Sequence, residues 1–250
     1  MDPNEFSIHA AIEDQHWWFR ARRNIIGSAL EKYAPGQRAH LLEIGCGTGG
    51  NLRFFAPRFG AVTGVDAAPS AVVFAKQRVP GEVFCGDFRE LLRGRWHDYD
   101  VVLLADVLEH VEHHHEFLRD LVAQLKPGAT LIITVPAHPW LWSPHDAALG
   151  HFRRYTQATL RATWAALPVR THFVTHFNTL LLPLIALARY AAPKQTTATA
   201  THSDLQQHGP IIDRLLYGIF NAETFWLRRA RLPWGCSALA VLQKLPTPPQ

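Results

Sequence analysis

This chain of 250 residues is poor in cysteine, with only Cys46, Cys85 and Cys236. Three is an odd number, and the wide spacing suits neither a disulfide framework nor a metal-binding pattern. A reduced, cytoplasmic setting is the expectation. Long apolar runs are also missing. The longest uncharged stretch, residues 179–188 (TLLLPLIALA), is broken by Pro183 and is half of the roughly 20 residues that a bilayer span needs. The opening MDPNEFSIHA carries acids and no apolar core, so no signal peptide is expected. Low hydrophobicity with a large net charge is absent: 48% of residues are hydrophobic and 18% charged. That excludes disorder as a description of the whole.

Acids are scarce in one half only. Residues 1–146 hold 14 Lys and Arg against 18 Asp and Glu, whereas residues 147–250 hold 11 against 3. A basic half points to an anionic partner, with a solvated Arg-rich surface as the plain alternative. Twenty of the 25 cations are arginine, which suits forked recognition of phosphate or carboxylate.

What is present is an alternation of short apolar runs with helical periodicity. Residues 16–34 read as an amphipathic helix ended by Pro35 and Gly36. Strands are expected at 39–44, 61–65, 83–85, 100–105 and 130–135, and helices from 52, over 69–78 and over 112–125. This order predicts an α/β fold, a parallel sheet with helices on both faces. The rhythm then breaks: 156–166 reads as helix, 170–177 as strand, then come a helix-rich stretch, a polar linker at 194–209 and a closing strand at 237–243. There is no internal repeat.

The first strand runs into Glu43-Ile44-Gly45-Cys46-Gly47-Thr48-Gly49-Gly50, just before a helix. Such a loop lets a ligand approach the backbone beside the free N–H groups of a helix start. Asp66 closes the second strand, where a carboxylate accepts from ribose hydroxyls. Together they indicate a nucleoside-containing cofactor. Gly45-x-Gly47-x-x-Gly50 also matches the dinucleotide fingerprint, so NAD has to be weighed. Against it stand Glu43, placed to meet a cationic amino-acid portion or to brace the loop; Gly86-Asp87-Phe88, a carboxylate and ring for a base; and the segment Leu104–Val111 after strand four.

In these motifs, EIGCGTG (43–49), VTGVDAAP (62–69), CGDF (85–88), YDVVLLADVLEHV (99–111) and LKPGATLIITVP (125–136), the chain resembles the class I S-adenosylmethionine-dependent methyltransferases, with a methyltransferase type 11/12-like domain. The resemblance covers residues 37–136. It implies a Rossmann-like seven-stranded sheet whose sixth and antiparallel seventh strands are 170–177 and 237–243. It further implies that Gly45, Gly47 and Gly49 line the methionine part of the cofactor, that Asp66 takes the ribose, and that Asp87 and Phe88 take the adenine. Ala67 and Asp106 are counted with these cofactor contacts, beside Glu43. More than 50 residues separate the last two strands, where such folds have a short connection, so 178–235 is expected to be a helical insertion. The domain expectation is a helical lid at 1–36, a core at 37–177, the insertion, and a closing strand and tail at 236–250.

For the acceptor side, His145 and His151 are candidate bases and His110 a weaker one. Arg153, Arg154 and Tyr155 are candidate acceptor-binding residues. Each has a plain alternative: an Arg paired at the sheet edge, or Thr156 capping a helix. The run Glu112-His113-His114-His115-Glu116 reads as a solvated helix start rather than a metal site, because helical neighbours point 100° apart. Trp17, Trp18 and Phe19 divide between core and lid. The leading function is methyl transfer to a small, lipid-linked or glycan-linked anionic acceptor, O-methylation favoured. The alternatives are a non-catalytic cofactor-binding subunit beside a membrane enzyme, and an NAD oxidoreductase. No nucleic-acid partner is expected. The insertion is expected to meet either a membrane surface, peripherally at its inner face, or an acceptor's lipid tail, with ordinary packing on the sheet edge or a second subunit as the alternative. The oligomeric state is left open.

Overall fold

The computed structural model describes residues 3–34, 36, 38–191 and 209–246. Its centre is a seven-stranded sheet in the order β3-β2-β1-β4-β5-β7-β6. The strands are β1 (His40–Ile44), β2 (Ala61–Asp66), β3 (Glu82–Cys85), β4 (Val101–Ala105), β5 (Thr130–Pro136), β6 (Val169–Phe177) and β7 (Ser237–Lys244). The first five pair in parallel. β7 runs antiparallel to both β5 and β6, so the long return before the last strand leaves the expected α/β sheet intact.

The helices are α1 (Pro3–Ile12), α2 (Trp17–Tyr33), α3 (Gly50–Phe55), α4 (Pro69–Arg78), α5 (Phe88–Leu91), α6 (His114–Gln124), α7 (Pro144–Ala148), α8 (Gln157–Ala162), α9 (Leu182–Ala191) and α10 (Pro210–Leu227). Central strands such as β4 (VVLLA) are continuously apolar because both sheet faces are covered. Leu42, Val102, Leu104 and Ile133 meet α5, α6 and α8 on one face. Leu41, Leu103 and Ile132 meet α2, α3, α4 and α10 on the other.

Three features bear on the expectations. α1 lies where the sequence offers no apolar stripe. The helix expected over 156–166 stops at Ala162, and Trp164 then turns into the core. Within the expected insertion, α10 lies along α2. Phe220 is fully buried and stacks with Phe177 at 6.2 Å. Asn24 donates to Tyr217 (3.0 Å) and Asn221 (2.7 Å). Buried Glu223 accepts from the backbone N–H groups of Thr179 and Leu180, tying α10 to the approach to α9. Of the polar linker expected at 194–209, residues 194–208 lie outside the described residues.

β1 has β2 on one side and β4 on the other, so the connections leave its C-terminal end in opposite directions. The crevice that opens there is where an open α/β sheet binds ligands.

Candidate functional site

The floor of the crevice is the loop after β1. The Gly45 and Cys46 N–H groups donate to Val65 O at 2.7 and 3.1 Å, which pins the loop to β2. Gly47 has φ +54°, and a methyl built on it meets nothing within 4 Å. The backbone there faces open space that a side chain would fill. Gly49 (φ +85°) differs, since its added methyl would run into Val79 and Ala75. The Asp66 carboxylate accepts from Gly47 N and Ala68 N, both at 2.8 Å. Asp66 itself is half-buried, beside exposed Ala67.

Glu43 is 1% exposed. One oxygen accepts from Asn51 Nδ2 at 2.7 Å, and the other has no partner. Burial pushes its carboxyl up to about 8. A buried acid with an orphaned oxygen beside a glycine cradle fits the arrival of a cationic group that would pair with it.

The N-terminal segment closes over this floor. Glu13 accepts from Thr48 Oγ1 at 2.6 Å and pairs with Arg78. Arg22, on α2, pairs with Asp106 at 2.7 Å, just past β4, and Thr134 Oγ1 on β5 donates to the same carboxylate at 3.0 Å. Trp18 stacks on the Arg22 guanidinium at 5.0 Å. His9 is held down to about 4 by burial first, then by the facing His145, Arg22 and His16.

The wall opposite is built around Asp146, which is fully buried. It accepts from His151 Nδ1 at 2.9 Å, Arg154 Nε at 2.7 Å, and Ser143 N and Oγ at 2.9 and 3.1 Å. Burial alone would raise its carboxyl, but the His151 hydrogen bond and the Arg154 charge hold it well below the usual range. His151 therefore has one ring nitrogen fixed by a carboxylate. Its ring lies edge-on to His110 at 4.6 Å, and ligand atoms of Glu109, His110 and His151 all fall within 4.8 Å of one another. Both Glu109 oxygens are buried without partners, and burial with the nearby Asp106 charge raises its carboxyl well above the usual value. His110 opens to solvent on one side, while desolvation on the other, then His151, lowers it to about 4. One carboxylate and two imidazoles form a donor set that can hold a divalent cation. It is not the 112–116 run weighed from sequence.

Several expected site residues sit elsewhere. Phe88 is 4% exposed and packs against Trp96 and Phe117, so its ring is not a surface for adenine. Asp87 is exposed, caps α5 through Arg89 N and pairs with the Arg89 guanidinium. Arg154 is spent on Asp146 and Ala137 O. Tyr155 is 1% exposed, donates to Leu108 O and meets His114 Nδ1 at 2.8 Å; burial raises its phenol. Neither Arg154 nor Tyr155 is free for an acceptor. Arg153 donates to Glu112 O beside the Phe152 ring. His145 lies on α7 near His9. The sequence reading missed the roles of Glu13, Glu109 and Asp146. Asp146 had one readable signal, its place three residues after Ser143 in a capping box.

A family profile described as a methyltransferase domain matches residues 17–180. The mitochondrial ubiquinone biosynthesis O-methyltransferase of Schizosaccharomyces pombe is 37% identical over 101 residues, 38% of this chain and 36% of that protein. A ubiquinone biosynthesis O-methyltransferase of Coxiella burnetii is 30% identical over 154 residues, 54% of this chain and 65% of that protein. The matches thus span between about a third and two thirds of these relatives. Among solved structures, a SAM-dependent methyltransferase from Archaeoglobus fulgidus superposes with TM-score 0.54 at 20% identity, covering 89% of this chain and 94% of that one. The plantazolicin methyltransferase BpumL, solved with SAH, gives 0.58 at 14% identity, covering 97% and 90%. These two likenesses show the fold.

Proposed function

The chain belongs to the class I S-adenosylmethionine-dependent methyltransferases, and from that premise we propose that it methylates a hydroxyl on a small anionic, lipid-linked or glycan-linked acceptor. The observation that carries this reading is the buried Asp146 fixing His151 Nδ1, with the rest of that imidazole turned towards His110 and Glu109. When bound, the cofactor supplies a methyl group on a positively charged sulfur, and the remaining work is alignment and removal of one proton.

Gly45, Gly47 and Gly49 would present backbone to the amino-acid portion, with Glu43 meeting its ammonium. Asp66 would accept from the ribose hydroxyls, and Ala67, Asp87 and the backbone at Phe88 would border the adenine. Arg22 and Asp106 close the lid and keep water out. His151 Nε2 takes the acceptor's hydroxyl proton while Asp146 holds the ring in the productive tautomer. His110 and Glu109 shape the far side, and Arg153 and His145 flank the entrance. O-methylation is supported by the two relatives above, both O-methyltransferases. A cytoplasmic setting is supported by three free thiols among the described residues.

The test is labelled-methyl transfer into fractionated lipid and glycan extracts, with identification of the labelled product. Wild type should label a hydroxyl-bearing acceptor, and His151→Ala should bind S-adenosylmethionine but transfer nothing. Full transfer by His151→Ala sinks the assigned base. Cofactor binding without turnover on any fraction would favour the non-catalytic subunit.

A further inference from the structure

The helices between β6 and β7 show solvent an apolar face on both outer sides. On α10, Ile211, Leu215, Ala222, Phe225 and Trp226 follow helical spacing along one stripe, with Ile211 83% and Leu215 61% exposed. The opposite side of the same helix buries Phe220, Glu223 and Leu227. On α9, Leu184 (58%), Leu187 (65%) and Tyr190 (91%) are exposed. An exposed apolar stripe of this kind along a helix commonly marks an interaction surface.

The exposed charges that α10 and the turn after it contribute beside this face are cationic. Arg214 and Arg229 are exposed beside it, Arg231 is exposed past the end of the helix with its guanidinium over the Phe173 ring at 5.7 Å, and the Arg229 guanidinium lies on the Phe225 ring at 4.3 Å. Arg228 is engaged with Glu31. Among the described residues of 147–250, the acids are Asp213, half-buried, and Glu223, buried under the helix. No described helix is long and apolar enough to cross a membrane. Apolar and aromatic side chains on one helix face, edged by arginines whose stems can lie along them, match the boundary between acyl chains and anionic headgroups. A second copy stacked on the same face would set arginine against arginine.

We propose that the outer faces of α9 and α10 form a docking surface for an anionic lipid bilayer. α9 also borders the functional site, because Arg189 donates to Leu141 O and lies 3.7 Å from Asp146, with Trp140 and Trp142 exposed on the same loop. Insofar as the proposed transfer reaction holds, docking would bring a membrane-borne acceptor to the His151 side of the crevice. The docking itself does not depend on that reaction.

The full-length protein is to be sedimented with phosphatidylcholine vesicles, with and without phosphatidylglycerol. Binding should need phosphatidylglycerol and fall as salt rises. It should weaken about fivefold for each of Arg214, Arg229 and Arg231 changed to Gln, and be lost in Phe225→Ser/Trp226→Ser. Each variant's circular dichroism and S-adenosylmethionine affinity should match wild type, which separates lost docking from lost fold. No binding to phosphatidylglycerol vesicles overturns the proposal, as does binding that survives both sets of substitutions. A dimer dissolved by the Phe225/Trp226 pair overturns it in favour of self-association. His151→Ala should bind vesicles as wild type does, so a failed transfer reaction and a failed docking surface are told apart.

Discussion

The Arg22 guanidinium stands 2.7 Å from the Asp106 carboxylate, joining a helix near the start of the chain to the residue that follows β4. Asp106 has φ +59°, a left-handed conformation that costs a non-glycine residue of order 1 kcal/mol. Its carboxylate is held from the other side by Thr134. The N-terminal segment is therefore fastened to the sheet beside the crevice, by a cation that is itself 5% exposed.

Arg22→Ala should destabilise the chain by about 2 kcal/mol, since it strands a partly buried carboxylate. For a chain of this size that is a Tm drop of about 4–8 °C. The same variant should bind S-adenosylmethionine less tightly, because the lid loses its latch. Arg22→Lys should recover part of the stability and less of the affinity, as an ammonium keeps the charge but loses the planar guanidinium that lies on the Trp18 ring. Thermal melts and calorimetry check both, and an unchanged Tm in Arg22→Ala would remove the latch from the account.

Asp146→Asn should lower kcat by about 10²–10⁴-fold while leaving cofactor affinity near wild type. The carboxamide still fills the site, but it no longer fixes the His151 tautomer or balances the Arg154 charge. The fold should weaken as well, because Arg154 is buried and loses its anion. Steady-state kinetics with the identified acceptor, beside equilibrium binding of the cofactor, give the measurement. Equal losses of affinity and rate would mean that Asp146 only props up the loop.

The parts that were legible in the sequence are those fixed by neighbours along the chain. Gly45–Gly50 between a strand and a helix, and an acid closing the next strand, announce the crevice because its geometry is local. Asp146 was hidden because its partners come from Ser143, His151 and Arg154 folding around it. Nothing in the sequence says which of two adjacent arginines turns inward. Arg154 and Tyr155 looked like surface chemistry and are buried supports. Phe88 beside Asp87 looked like a base contact, yet the same ring completes a cluster with Trp96 and Phe117.

Glu43 should make both stability and cofactor binding depend on pH. Its folded value is about 8 against an ordinary 4.5. Between those two values the folded chain keeps a proton that the unfolded chain gives up, so stability should fall as pH rises through that window and flatten above it. An incoming ammonium favours the ionised form, so S-adenosylmethionine should bind more tightly towards pH 8 and release a proton when it binds at pH 6 to 7. Glu43→Gln should flatten the stability curve and abolish the proton release. Calorimetry in two buffers of different ionisation enthalpy reads the proton directly, and equal release from wild type and Glu43→Gln would remove Glu43 from the cofactor site.

Gly47→Ala and Gly49→Ala should separate ligand space from packing space within one loop. Both positions have positive φ, so each substitution carries about 1 kcal/mol of backbone strain. At Gly47 the new methyl meets no protein atom within 4 Å, so strain is the whole cost to the fold. Under the proposed cofactor placement that methyl enters the cofactor's space, and affinity should fall at least about tenfold, the equivalent of 1.4 kcal/mol. At Gly49 the methyl would collide with Val79 and the Ala75 backbone, so α3 and α4 must move apart. The loss of stability there should exceed that at Gly47 by about 1–3 kcal/mol, the usual range for overpacking. Thermal melts and S-adenosylmethionine titrations on the two variants decide it. A Gly47→Ala protein that binds the cofactor as wild type does would mean the ligand backbone runs elsewhere, whatever happens at Gly49.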